Sequence, residues 1–330
     1  MAKFRVVVTD LGYKSYAPEE EAFTGLGLDV ELVLRESGTP LAEACAGAHG
    51  LLVRQSEIDR PLLESMKGCR VVARYGIGVD NVDLAAATEC GIVVANTPGF
   101  CVHEVAEHAL ALVLACARRV LEHDRRVRAG EWDIGSKAPI YRIEGKTLGL
   151  VGLGAIPQKL AAKAGGLGLR MIAADPYVKP EIAARLHVEL VGFDRLLAES
   201  DFVSIHAPNL PETRHMFNAD AFTQMKPTAY LVNTSRGPLV DEAALAAALE
   251  RGEIAGAALD VFETEPLPAD SPLRESGNLI LSDHAGWYSE ESILEVQRRA
   301  GEAVAAVLAG KRPESVVNPD VYKKIGEPRG

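Results

Sequence analysis

The chain has 330 residues, of which 48% are hydrophobic and 25% charged, so it is long enough for two globular domains. Its 35 basic and 46 acidic residues give a net charge of −11, which excludes a general affinity for nucleic acid or anionic lipid because the field repels phosphate groups. The start of the chain lacks the layout of a signal peptide, and no apolar run reaches the roughly 18 residues of a membrane span, so we expect a cytoplasmic protein.

Short apolar runs typical of β-strands alternate with helix-like segments along most of the chain. In the first hundred residues the runs are FRVVV (from Phe4), VELVL (Val30), GLLV (Gly50) and RVVA (Arg70). They resume with TLGLV (Thr147), RMIAA (Arg170), FVSIH (Phe202), AYLV (Ala229), GAALD (Gly256) and LIL (Leu279). Strands separated by helices pair in parallel, so the sequence predicts an α/β protein with two doubly wound parallel-sheet domains.

Two amphipathic segments set the predicted domain boundaries. From Val102 to Val120 apolar residues recur at helical spacing, and Gly130 stands where a helix could stop, which predicts one long helix joining the domains. A second run, from Ser289 to about Ala309, leaves roughly twenty residues, too few for a domain. We therefore expect the tail to return to the first domain, so that residues 1–100 with 290–330 form one domain and residues 101–289 the other.

A glycine-rich loop follows the first strand of the second set, in GLVGLGAIPQ. Gly152 permits a tight turn, and Gly154 lets the backbone approach a pyrophosphate at the positive end of the next helix. Pro157 replaces the usual third glycine; a proline in a first helical turn removes an N–H that has no intrahelical partner, so the loop can still form. The alternative is a flavodoxin-like core with a chance Gly-Leu-Gly.

An acidic residue ends the strand after this loop. Asp175 lies 23 positions past Gly152 (175 − 152), where a carboxylate can accept the ribose hydroxyls and repel a 2′-phosphate. The order of a strand, a glycine loop, a helix, a second strand and an acidic residue predicts a dinucleotide site that prefers NAD to NADP.

Three charged residues each follow a predicted strand further along the chain. Arg236, Glu265 and His284 should meet at the carboxyl edge of one sheet, where open α/β folds bind ligands. Arg236 offers a planar fork for a carboxylate, His284 can give or take a proton near neutral pH, and Glu265 can hold the imidazole. Singly, each could be an ordinary surface, loop or helix-start residue, but the three placements together favour an active site.

With these residues the chain resembles a known family over nearly its whole length. The motifs are RYGIGVDNVD (from Arg74), VGLG with Asp175, HAPNLPETRHMFN (His206), NTSRG with LVDE, LDVFETEP, and HAGWYSEE (His284). They resemble the NAD-dependent D-2-hydroxyacid dehydrogenases, and most closely the branch of the C-terminal binding proteins and their bacterial relatives. The resemblance implies a Rossmann NAD-binding domain, a smaller flavodoxin-like substrate domain, a cleft that closes between them, and a homodimer.

The resemblance also implies roles for individual residues. Arg236 would bind the substrate carboxylate, with His284 as general acid and base paired to Glu265. The other residues implied to bind substrate are Arg54, Arg74, the backbone N–H groups of Ile77 and Gly78, and Trp287 as a pocket wall. Those implied to bind the cofactor are Gly152, Gly154, Ala155, Ile156, Asp175, His206, Pro208, Thr234, Ser235, Asp260 (to the nicotinamide carboxamide) and Gly286. Ala155 and Pro157 depart from the family pattern and put cofactor affinity in question.

The expected reaction moves a hydride between nicotinamide C4 and C2 of a small 2-hydroxy or 2-keto acid. Glyoxylate or hydroxypyruvate reduction and phosphoglycerate oxidation both fit; the latter needs basic residues for the phosphate, for which Arg54 is a candidate and otherwise a surface charge. The alternative function is an NADH-sensing scaffold like the corepressors of this branch. Trp132 is either a solvated helix-end residue or, as in some relatives, reaches a partner's active site.

No metal or disulfide is expected. The segment HEVAEH, from His103 to His108, imitates a zinc-protease helix, but an interval of five residues turns the second ring about 140° away from the first. The cysteines are odd in number and never spaced Cys-x-x-Cys, so we expect reduced core residues. They are Cys45, Cys69, Cys90, Cys101 and Cys116.

Overall fold

The structure is a computed structural model and describes residues 3–133 and 139–328. Its strands are β1 (Phe4–Val8), β2 (Val30–Leu34), β3 (Gly50–Val53), β4 (Val71–Arg74), β5 (Val93–Ala95), β6 (Thr147–Val151), β7 (Arg170–Ala174), β8 (Val188–Leu190), β9 (Phe202–Ile205), β10 (Tyr230–Asn233), β11 (Gly256–Leu259) and β12 (Leu279–Leu281). Its α-helices are α1 (Ala17–Gly25), α2 (Leu41–Ala44), α3 (Arg60–Ser65), α4 (Leu84–Cys90), α5 (Val102–Arg118), α6 (Val120–Arg128), α7 (Ala155–Ala164), α8 (Pro180–Arg185), α9 (Phe193–Glu199), α10 (Ala219–Gln224), α11 (Glu242–Arg251), α12 (Glu290–Leu308) and α13 (Tyr322–Ile325).

The predicted strands agree with the observed ones to within one residue at each end. Two strands of three residues each, β5 and β8, were not predicted. The chain divides into two compact units, and each is described by itself. Unit 1 comprises Met1–Phe100 and Ser289–Gly330, and unit 2 comprises Cys101–Tyr288.

Unit 1 is built on a five-stranded parallel sheet in the order β2-β1-β3-β4-β5. This is the flavodoxin-like order, in which ligands bind at the carboxyl ends of the strands. Every residue of β3 is buried, as expected for a central parallel strand covered on both faces.

The C-terminal tail is part of unit 1. Helix α12 begins at a capping box formed by Ser289 and Ser292 and packs on α1, β3 and β4. Gln297 Nε2 donates hydrogen bonds to the Glu19 carboxylate, 3.1 Å to each oxygen. Further along, Asn318 Oδ1 accepts from the backbone N–H of Val94 at 2.8 Å. The sheet edge and the first helix are thus completed by residues from the far end of the chain.

Unit 2 is built on a seven-stranded parallel sheet in the order β12-β11-β10-β9-β6-β7-β8. Helices cover both faces: Leu148 and Leu150 of β6 share a core with α5 and α7, while a Cβ added to Gly149 would lie 2.9 Å from Leu196 of α9. The strand order reverses between β6 and β9, which is the topological switch point of a Rossmann fold. The predicted fold class, two doubly wound parallel-sheet domains, is confirmed.

The prediction of one long helix after residue 101 is wrong, because the helix breaks at Arg119. This residue adopts a left-handed conformation (φ 50°) between α5 and α6, and its backbone N–H caps α5 by donating to Cys116 O at 3.1 Å. Seven residues of α5 are buried, whereas α6 buries none. The break therefore comes where the helix leaves the core. The end near Gly130 agrees with the prediction, since α6 stops at Arg128 and Gly130 has φ 83°.

Four of the five cysteines are buried, Cys90 is half-buried, and none of the five is in a disulfide in the structure. Burial raises the pKa of the Cys69 thiol to about 12, so this side chain is inert near neutral pH. In the part of the chain that the structure describes, no helix combines the length and the apolar character needed to cross a membrane.

Candidate active site

The glycine loop lies at the switch point of unit 2, directly after β6. Gly152 has φ 89°, and a Cβ added there would lie 3.1 Å from the backbone oxygen of His206, which follows β9. A side chain would be both strained and crowded at this turn. Gly154 caps the start of α7 and is exposed, and a Cβ added to it would meet nothing within 4 Å. The start of α7 is therefore open to a ligand.

Pro157 occupies the third position of α7 and is buried. The helix continues past it, with Gln158 N donating to Gly154 O at 3.1 Å. No helical hydrogen bond is lost, because the N–H groups of a first turn have no intrahelical acceptor. The proline ring packs inward rather than occupying the open side of the loop, and the backbone N–H groups of Ala155 and Ile156 head the helix.

Asp175 directly follows β7, and its carboxylate is fixed by three backbone N–H groups. Leu153 of the glycine loop donates to Oδ2 at 2.7 Å, while Tyr177 and Val178 donate to Oδ1 at 2.8 and 3.0 Å. One lone pair of Oδ2 remains for a further donor. Asp175 is thus hydrogen-bonded to the glycine loop, with which it is predicted to bind the dinucleotide. Its negative charge would repel a 2′-phosphate on the ribose.

The loops after β9 and β10 carry four more of the predicted cofactor residues, His206, Pro208, Thr234 and Ser235. Thr234 is 8% exposed and its Oγ1 has no hydrogen-bond partner among the described residues, while Ser235 Oγ donates to Ala207 O at 2.7 Å. An orphaned buried hydroxyl costs roughly 1–3 kcal/mol, a loss that a polar group of a bound ligand would recover. Burial lowers the pKa of His206 to about 3, so its ring is neutral. Pro208 is exposed, and its carbonyl accepts from Thr213 Oγ1 at 2.7 Å. The open helix start and the orphaned hydroxyl fit a dinucleotide.

Glu265 and His284 form a direct pair. His284 Nδ1 lies 2.7 Å from Glu265 Oε2, and Phe262 N donates to Glu265 Oε1 at 3.0 Å. Burial raises the pKa of Glu265, but the hydrogen bonds from His284 and Phe262 N–H outweigh it and the net shift is downward. Because the ionised carboxylate only accepts, His284 Nδ1 carries a proton and Nε2 is left for proton exchange.

Arg236 follows β10 and lies close enough to Glu265 for its positive charge to contribute to that lowered pKa. Its Nη1 donates to Ser235 O at 2.7 Å. Gly237 brings the Arg236 loop against the Glu265 loop, because a Cβ added to Gly237 would lie 1.8 Å from the carbonyl carbon of Phe262. The three charged residues predicted to meet at the carboxyl edge of one sheet are therefore neighbours in unit 2.

Asp260 follows β11 and is 1% exposed. Its Oδ1 accepts from Ser282 Oγ at 2.6 Å and Ala285 N at 2.9 Å, and its Oδ2 accepts from Gly286 N at 2.9 Å. Burial raises its pKa, but hydrogen bonds from His108, Ser282 and Gly286 prevail and lower it to about 2. A Cβ on Gly286 would lie 2.8 Å from Oδ2, which explains the glycine. The carboxylate thus holds the turn that carries His284, a role that sequence reasoning did not predict.

In unit 1 the predicted substrate residues lie at the end of β4 and just after β3 and β4. Arg74 Nη1 donates to Tyr75 O at 3.1 Å, and the side chain folds across Gly76. Ile77 is partly exposed and its carbonyl accepts from Asn96 Nδ2 at 2.6 Å; Gly78 is the next residue. In unit 2, Trp287 is half-buried, with its ring centroid 5.9 Å from that of Tyr288.

Arg54 is held by a residue that sequence reasoning missed. Asp10, two residues after the end of β1, accepts at Oδ2 from the backbone N–H groups of Arg54, Gln55 and Ser56, each at 3.0 Å. Burial raises the pKa of Asp10, but these donors and Ser56 Oγ outweigh it and lower the pKa to about 2. The Arg54 guanidinium lies over Gly12, where a Cβ would be 2.2 Å from Nη1, and 6.0 Å from the Tyr13 ring centroid.

The segment HEVAEH places its histidines apart, as their spacing predicts. His103 is exposed, whereas His108 Nε2 lies 3.4 Å from Asp260 Oδ1. Across residues 3–133 and 139–328 no group of three or more His, Cys, Asp or Glu side chains is arranged to hold a metal ion.

Comparison with known proteins identifies the family. Residues 110–286 match the model for the D-isomer specific 2-hydroxyacid dehydrogenase, NAD binding domain. The chain is 43% identical over 269 residues to a glyoxylate reductase of Korarchaeum cryptofilum, covering 81% of each chain. It is 43% identical over 304 residues to a D-3-phosphoglycerate dehydrogenase of Mycobacterium leprae, covering 91% of this chain but 56% of that protein.

The fold is also similar to that of solved members. The glyoxylate reductase structure from Paecilomyes thermophila superposes with a TM-score of 0.85 at 27% identity, covering 97% of this chain and 99% of that one. The NAD predicted from the glycine loop and Asp175 agrees with the matched NAD-binding domain, and the predicted family is confirmed. The chain belongs to the D-isomer specific 2-hydroxyacid dehydrogenase family, and residues 110–286 form its NAD-binding domain.

Proposed function

We propose that the protein reduces a small 2-keto acid with NADH and, in reverse, oxidises the corresponding 2-hydroxy acid with NAD. The observation that carries this proposal is the 2.7 Å Glu265–His284 pair beside Arg236 in the NAD-binding unit. A neighbouring guanidinium and a carboxylate-oriented imidazole are the groups needed to hold a keto acid and protonate its oxygen.

The chain's own residues would act as follows. NADH, when bound, would supply the hydride for reduction of the keto acid. Arg236 binds the substrate carboxylate and polarises the C2 carbonyl. Protonated His284 gives its Nε2 proton to the carbonyl oxygen as the hydride arrives, while Glu265 keeps hold of Nδ1–H and stabilises the imidazolium. In the oxidation, neutral Nε2 takes the proton from the hydroxyl.

The experiment that tests this function is NADH oxidation with a panel of 2-keto acids, including glyoxylate, hydroxypyruvate, pyruvate and 3-phosphohydroxypyruvate. We expect turnover with at least one small acid, most strongly with glyoxylate or hydroxypyruvate. A flat trace on every acid, with NADH bound in a direct fluorescence titration, would contradict the enzyme and favour an NADH-sensing scaffold of the C-terminal binding protein type.

Phosphoglycerate oxidation is the second candidate, favoured by the way Arg54 is held. Asp10 fixes the backbone of Arg54, and the missing side chain at Gly12 makes room for its guanidinium. The proposal is that this guanidinium binds a second anionic group on the substrate. It is supported by the 43% identity to a phosphoglycerate dehydrogenase, of whose length this chain spans 56%.

Gly12→Ala is expected to separate the two candidates. The new methyl group displaces the Arg54 guanidinium, at little cost in stability because only the end of a flexible side chain must move. If Arg54 binds phosphate, the KM for 3-phosphohydroxypyruvate should rise about tenfold or more, because a hydrogen bond to a charged group is lost. The KM for glyoxylate should stay unchanged. The control is Gly25→Ala in the same unit, where an added Cβ meets nothing within 4 Å. An equal change for both acids would show that Arg54 does not read the phosphate.

Three finer assignments remain proposals, the first two of them from the family resemblance. HAGWYSEE, with the half-buried Trp287 three residues after His284, supports membership of the C-terminal binding protein branch. A homodimer is proposed from the family alone; in it Trp132, whose side chain is 89% exposed, would be available to a partner. A cytoplasmic location is proposed from composition.

A further inference from the structure

A chain of hydrogen bonds leads from helix α5 to the turn that carries His284. His108 lies on α5, and its Nε2 is 3.1 Å from Ser282 Oγ and 3.4 Å from Asp260 Oδ1. Ser282 Oγ in turn lies 2.6 Å from Asp260 Oδ1. All three residues belong to unit 2, and neither His108 nor Ser282 has a part in the reaction as described above.

The direction of this chain follows from the number of protons available. The Asp260 carboxylate only accepts, so the single hydroxyl hydrogen of Ser282 points at it. Ser282 Oγ can then only accept from His108, and Nε2 of His108 must carry a proton. That N–H points toward both Ser282 Oγ and the buried carboxylate, so His108 supplies a donor to a group that is 1% exposed.

Asp260 is the anchor of the catalytic turn. Its backbone oxygen accepts from His284 N at 2.8 Å, and its carboxylate accepts from Ala285 N and Gly286 N, each at 2.9 Å. His284 itself is held at φ 56°, a left-handed conformation that is unfavourable for a residue with a side chain. The hydrogen bonds to Asp260 keep the turn in that conformation, and the conformation sets where the imidazole points.

We propose that His108 is a positioning residue for proton transfer: together with Ser282 it fixes the Asp260 carboxylate, and through it the turn that aims His284. This inference rests on the proposed function, in which His284 is the general acid and base. It assigns a role to the second histidine of HEVAEH, which belongs to no metal-binding cluster among the described residues.

Two substitutions at His108 separate positioning from a general loss of structure. His108→Leu removes the donor at similar bulk. His108→Gln keeps an N–H donor, since the glutamine Nε2 can reach the position of the imidazole Nε2. His103→Leu, on the same helix but exposed, is the matched control. For each purified full-length variant, kcat and KM on the best acid of the panel, the Kd of NADH and the melting temperature are measured.

We expect His108→Leu to lower kcat about tenfold or more, because small displacements of a catalytic group are costly, while the Kd of NADH changes less than about threefold. His108→Gln should restore most of kcat, and His103→Leu should match wild type. Should His108→Leu fail to fold, Ser282→Ala interrupts the same chain and should show the same loss of kcat. A wild-type kcat in His108→Leu would overturn the positioning role. So would equal losses of kcat in His108→Leu and His108→Gln, if the melting temperatures of the two variants fall in parallel. A wild-type protein that binds NADH but reduces no keto acid would overturn the proposed function itself.

Discussion

Replacing His284 by asparagine is expected to lower kcat by about 10³-fold or more while leaving NADH binding intact. The variant loses the imidazole proposed to exchange a proton with the substrate oxygen and keeps the backbone, because asparagine tolerates the left-handed conformation at φ 56°. The amide can still bond Glu265 but does not titrate. Steady-state NADH oxidation measures kcat, and fluorescence titration measures NADH binding.

The matched control for this variant is His187→Asn. His187 is exposed and also left-handed, with φ 55°, so the same substitution is made on the same backbone conformation away from the site. It should retain wild-type kcat. If His284→Asn kept more than about a tenth of the activity, proton transfer would have to come from another group, since general acid and base catalysis contributes at least about 10²-fold.

Arg236→Lys is expected to lower kcat/KM by about 10²-fold or more, and Arg236→Ala by about 10³-fold, mainly by raising KM. Lysine keeps the charge but offers no planar fork for a carboxylate, so a large loss in this variant shows that geometry matters as well as charge. The same keto-acid assay measures both variants.

Arg214→Lys provides the control for Arg236→Lys. The side chain of Arg214 is 57% exposed and lies 3.7 Å from Glu263, so the same substitution tests the loss of a guanidinium at the surface of the same unit. Full activity is expected there, since surface ion pairs contribute little. A lysine at 236 with the same kcat/KM as wild type would remove Arg236 from substrate binding.

The strands were predictable because central parallel strands are buried on both faces and appear as continuous apolar runs. All five residues of β6 are buried, for example. The break at Arg119 was not predictable, because α5 and α6 are both helical in composition and arginine gives no sign of a left-handed residue. What ends α5 is the loss of a core to pack against, which is a property of the fold and not of the local sequence.

The residues of the candidate site also divide into those that could be predicted from the sequence and those that could not. Arg236, Glu265 and His284 were found because each follows a strand, and parallel strands bring their carboxyl ends to one edge. Asp10 follows β1 in the same way and could have been found by the same rule. His108 could not, because its place in the middle of a helix says nothing about the Ser282 and Asp260 that face it from other elements.

The division of unit 1 between the two ends of the chain has a consequence for biosynthesis. Gln297 bonds to Glu19 of α1, and Asn318 bonds to Val94 of β5. The N-terminal part of unit 1 therefore leaves the ribosome long before these C-terminal residues are synthesised. Unit 2 is continuous and fully synthesised first, so the usual N-terminal-first order of domain folding is reversed. Until α12 is translated, the nascent N-terminal segment carries an uncovered apolar face, and a chaperone that shields it has a defined interval in which to act.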